Sequence, residues 1–207
     1  MDFLKLLTIG ARRGWIATVP DLVTAIGEGA AYLSQGSAYA YIRARSGTMG
    51  PRLMQDAAFG AAMERCTWEG FAAFAADLIL IVETDLRPCA VDPDAQVLQS
   101  LYRSVLANQD LPRHRSGQGW DDRVARFDQR VVAHLAAPPR GVGEICREGA
   151  EILLRFMPVT DDIRQADREM VLNNVQFRFI EHVEALRRRS DNRALSLALT
   201  ETTANPS

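Results

Sequence analysis

Asp77 is the only charge in the apolar stretch formed by residues 71–82. At about 100° per residue it shares a helical stripe with Phe59, Met63, Cys66, Gly70, Phe74 and Ile81, so a helix here turns the carboxylate inward. An unpaired buried carboxylate costs roughly several kcal/mol, and pairing with an arginine from another helix is its simplest fate. The alternative is a ligand cavity, in which Asp77 accepts a hydrogen bond or, with a raised pKa, donates one. Tyr32, Tyr39, Tyr41, Trp68 and Phe71 are the aromatic side chains that would line such a pocket, although aromatics at helical spacing are more often core.

Glu64, Glu69 and Glu83 share the helix with Asp77. On a wheel, Glu69 and Glu83 fall near Arg65 and away from Asp77, which predicts a solvated face. No Glu-x-x-His pair accompanies them, so the di-iron arrangement of carboxylate bundles is excluded. His114 stands between Arg113 and Arg115 in the polar stretch 109–119, a cluster able to bind phosphate or carboxylate if it is more than solvated loop charge. His134 and His182 lie beside apolar stripes and read as structural imidazoles.

Several enzyme classes fall away by absence. Lys5 is the only lysine, so no P-loop exists, and neither a Gly-x-Gly-x-x-Gly turn nor a Gly-x-Ser-x-Gly elbow occurs. Cys66, Cys89 and Cys146 are odd in number and far apart, with no histidine at ligand spacing, so they read as reduced thiols. Neither a metal nor a cofactor is expected. These absences weigh against catalysis.

Residues 1–17 carry a different signal. As a helix they place Phe3, Leu4, Leu7 and Trp15 on one side and Lys5, Arg12 and Arg13 on the other, the pattern of a segment lying on an anionic bilayer. Leu6 and Ile9 spoil the polar face, and docking of the apolar side on the protein is the simpler outcome. The arginines follow the apolar run rather than precede it, the reverse of a secretory signal. With net charge −2 in 207 residues, bulk attraction to nucleic acid is not expected. The place implied is the cytoplasm, with a peripheral position on the inner membrane offered by residues 1–17.

The elements that must position these groups are helices. Residues 20–45, 51–86, 94–108, 120–135 and 142–156 show apolar periodicity bounded by caps, glycines and prolines. A last helix starts at Thr160 and carries Leu172, Val175, Phe179, Val183 and Leu186 at spacings of 3, 4, 4 and 3, a seam expected to pack inside the fold. Residues 191–207 turn to Ser, Asp, Asn, Thr and Pro, which predicts a disordered tail. The fold class expected is therefore all-α, a single bundle of about six or seven mostly antiparallel helices over residues 18–190. Two functions remain: a non-catalytic protein that binds protein partners or itself, or a helical enzyme of hydrolase type or carrier for a small apolar or lipid-like molecule in a pocket around Asp77.

Overall fold

Thr18 starts the first helix, its hydroxyl accepting the backbone N–H of Asp21, with Pro20 and Asp21 in the first turn where a missing donor and a negative charge are tolerated best. In the computed structural model, which describes residues 15–89 and 94–204, this helix is Val19–Ser46 (α1). Then come Gly50–Gln55 (α2), Ala57–Leu86 (α3), Ala95–Ala107 (α4), Asp121–Leu135 (α5), Val142–Phe156 (α6), Asp161–Ala166 (α7), Arg168–Arg187 (α8) and Asn192–Ala204 (α9). The chain is an all-α bundle.

The helix expected over 51–86 is broken at Asp56, which leaves helical geometry (φ −72°, ψ 122°) so that its carboxylate can accept the Phe59 N–H and cap α3. A second break falls at Asp167, which ends α7 and holds the junction to α1 by accepting from Tyr41 Oη at 2.7 Å and from Arg45. Local side-chain hydrogen bonds thus divide what periodicity alone leaves continuous.

α3 is the axis of the bundle. Every residue from Cys66 to Glu83 is buried, because α1, α4, α5, α6 and α8 surround it. Its neighbours α1, α4 and α6 run antiparallel to it: Ser34 faces Gly70 while Leu78 faces Gly29, Tyr102 donates to the Ala72 carbonyl at 3.0 Å, and Leu153 and Gly149 lie against Gly70 and Asp77. α5 and α8 run parallel to it, as the pairs Phe179 with Phe74 and Arg187 with Asp85 show for α8. The seam of Leu172, Val175, Phe179, Val183 and Leu186 is internal, and the Phe179 ring meets Phe74 edge-on at 4.9 Å.

The expectation of a disordered tail over 191–207 is corrected for residues 191–204. Asp191 accepts the Ala194 N–H, opening α9, and Leu195 and Leu199 are buried one turn apart. Composition misled because two leucines at i, i+4 are enough to anchor an otherwise polar helix once a bundle is there to receive them. Among the described residues, no helix is long and apolar enough to cross a membrane.

Candidate functional site

The acidic residues of α3 do not form a solvated face. Glu69, Asp77 and Glu83 are all buried, and each meets a cation from α5, from the turn before it, or from its own helix. The Glu69 carboxylate accepts from Arg115 Nε at 2.8 Å and Nη2 at 2.6 Å, and from Arg123 Nη2 at 2.5 Å. His114 Nε2 lies 3.0 Å from the same carboxylate. Burial pushes the pKa of Glu69 up, but these cations outweigh it and hold the carboxyl at about 2. Of Arg113, His114 and Arg115, the last two lie against Glu69, a carboxylate of the protein itself, and Arg113 lines the surface groove instead.

One turn after another, the pattern repeats. Arg130 Nη2 approaches Asp77 Oδ1 to 2.6 Å, while its Nε lies 3.1 Å from Glu148. The Asp77 contact is an ion pair by distance only: neither carboxylate oxygen receives a well-aligned hydrogen bond from a side chain. Gly149 of α6 lies directly against this carboxylate, and any Cβ there would collide with Oδ2. Burial pushes Asp77 up to about 7, with Arg130 pulling the other way. Further along, Glu83 is held low, against its burial, by His134 Nε2 at 2.6 Å and Arg87 Nε at 2.7 Å.

Asp77 therefore faces an arginine. Of the aromatics grouped with it, Phe71 is buried under Trp68 in an edge contact of 5.6 Å, and Tyr41 is turned to Asp167. Tyr39 and Trp68 come together at the surface with Glu64, Leu111 and Arg113 around a groove of about 530 Å³. Tyr32 lines a second groove of about 510 Å³ with Phe177, Arg178 and His182, whose ring stacks on Tyr32 at 6.1 Å. A third groove, about 600 Å³, opens between the end of α1, α2 and α8 and is lined by Tyr39, Ile42, Arg43, Ser46, Met54 and Arg178. Asp77 lines none of the three. Of the N-terminal face only Trp15 is described, and it is exposed; Phe3, Leu4, Lys5, Leu7, Arg12 and Arg13 lie outside the described residues.

Burial raises Cys66 and Cys146 to about 12 each, so neither thiol supplies a thiolate near neutrality. No three His, Cys, Asp or Glu side chains converge as metal ligands among the described residues. Arg123 and Arg130 were not singled out by sequence reasoning, yet the signal was present: Arg123, Phe127, Arg130 and His134 recur at spacings of 4, 3 and 4, so the stripe of α5 that faces α3 carries its charges in an apolar heptad. Arg43, Ser46, Met54 and Arg178 had no such signal, because their groove is made by helices distant in sequence. Compared with family models, curated proteins and solved structures, the chain matches none.

The ionisation of Asp77 gives a pH signature. Its folded pKa lies above its ordinary value of 3.8, so the fold binds this proton more tightly than the unfolded chain does. The stability it contributes is full below about pH 4 and is lost as pH rises through about 7. Urea titrations of Asp77→Asn and wild type at pH 4.5, 6 and 7.5 should show the variant gaining on wild type at each step. A constant difference across the three would mean that Asp77 titrates normally.

Proposed function

We propose that the protein is a non-catalytic helical module that binds a protein partner through the outward face of α8 and the adjoining part of α1. The observation that carries this is a second apolar stripe on α8. Met170, Phe177 and Ile180 point to solvent on the side opposite the buried seam, with Phe177 62% and neighbouring Tyr32 56% exposed. A surface helix normally shows one apolar stripe, the one it buries. Large aromatic and Met side chains set among Arg178, Asn174 and Glu181 have the composition of an interface core with a polar rim. The interior favours the same class, since its buried acids are occupied by ion pairs.

A photo-reactive amino acid placed at Phe177 or Tyr32 in cells should yield a discrete adduct that is absent when it is placed at Gln129, exposed on α5. Sedimentation of the purified protein then tells whether the adduct is a second copy. Adducts of equal yield from Gln129, or none from any position, would refute the assignment.

A place at the surface of an anionic membrane is a second reading, favoured by the position of Trp15. The Ile16 N–H donates to the Arg189 carbonyl at 2.8 Å and the Ile16 carbonyl accepts from Asp191 at 2.9 Å, which holds exposed Trp15 beside the basic run 187–189. An aromatic next to clustered arginines suits the interface of such a bilayer. Anionic vesicles should pellet the intact protein and not a form lacking residues 2–14 and carrying Trp15→Ala. Equal pelleting of both would remove this reading.

A further inference from the structure

The groove at the end of α1 differs from the outer stripe of α8 in its polar groups. Its wall is apolar, built by Tyr39, Ala40, Ile42, Pro51 and Met54, and its volume of about 600 Å³ lies in the range of small-molecule sites, roughly 300–1,000 Å³. Three polar side chains line it. Arg43 makes no ion pair among the described residues. Arg178 donates from Nε to Asn174 Oδ1 at 3.2 Å and meets no carboxylate among the described residues. Its guanidinium lies across α1 because residue 36 is glycine: a Cβ there would sit 2.9 Å from Nη1. The third is Ser46, whose Oγ is buried and has no hydrogen-bond partner. A buried hydroxyl without a partner costs roughly 1–3 kcal/mol, so it marks a place where a polar ligand atom would be welcome.

From this arrangement we propose that the groove is a site for a monomeric single-chain carboxylate amphiphile. The acyl chain lies against Tyr39, Ile42 and Met54, the carboxylate takes charge-assisted hydrogen bonds from Arg178 and Arg43, and Ser46 donates its hydroxyl. Charge selects the class of ligand. Two arginines with no acidic partner repel a cationic head group, and a neutral alcohol of the same length leaves both without a counter-charge. The ligand needs no second protein, although Arg178 also lines the neighbouring groove beside Tyr32 and Phe177.

Calorimetric titration of the full chain with sodium decanoate, kept below its micellar concentration, tests this directly. One saturable site is expected. Arg43→Gln with Arg178→Gln should weaken binding at least about tenfold, the loss expected when charged partners are removed. Ala40→Trp, on a half-exposed wall position, should abolish binding, with an unchanged thermal melt showing that the fold is intact. Decyltrimethylammonium should not bind. The assignment is overturned by equal affinity for the cationic amphiphile, by a double-arginine variant within about twofold of wild type, or by the absence of saturable decanoate binding. Because Arg43 and Arg178 sit at the surface, their replacement leaves the core in place and the comparison interpretable.

Discussion

A helix segment buried on every side cannot carry a carboxylate without a basic group to meet it, and α3 buries three. Glu69, Asp77 and Glu83 lie within the run 66–83 that the rest of the bundle encloses. Desolvating each of them without compensation would cost several kcal/mol, roughly the whole stability of many domains when summed. The basic side chains that answer them, Arg115 with Arg123, Arg130, and His134 with Arg87, come largely from one neighbour and in chain order. Helix α5 is thereby aligned parallel to α3. A slip of α5 by one turn along α3 would leave these charges facing hydrocarbon.

This constraint also sorts the polar groups of the molecule. Inside, Glu69, Asp77 and Glu83 each lie against an arginine, whereas Arg43, at the groove beside the end of α1, makes no ion pair among the described residues. Helix α8 is unusual in having apolar residues on both sides, one set buried in the seam and one exposed. The raised pKa of Asp77 follows from its complete burial, which Arg130 offsets only in part.

Periodicity made most of the helices legible in the sequence. Val142–Phe156 was bounded by its glycine and prolines, Thr18 announced α1, and the spacing of Leu172 to Leu186 marked a seam. The breaks at Asp56 and Asp167 were hidden because they depend on where an aspartate side chain finds its donors. Glu69 and Glu83 were misplaced by a helical wheel, which assumes that a helix has a wet side; a central helix has none. An arginine partner for Asp77 was expected on energetic grounds, but which of 24 basic residues would supply it depended on the topology. The residues around the groove of Arg43 and Arg178 come from α1, α2 and α8, and only the folded chain brings them together.

The most direct measurement is a double-mutant cycle at pH 7.5 between Glu69→Gln and the paired change Arg115→Met with Arg123→Met, followed by urea unfolding. If buried charge pairing aligns α5 on α3, either change alone leaves uncompensated charge inside the bundle, and the combined protein recovers part of the loss, with a coupling of about 2 kcal/mol or more. Losses that add to within about 0.5 kcal/mol would show that these charges are independent, and that apolar packing alone positions the helix.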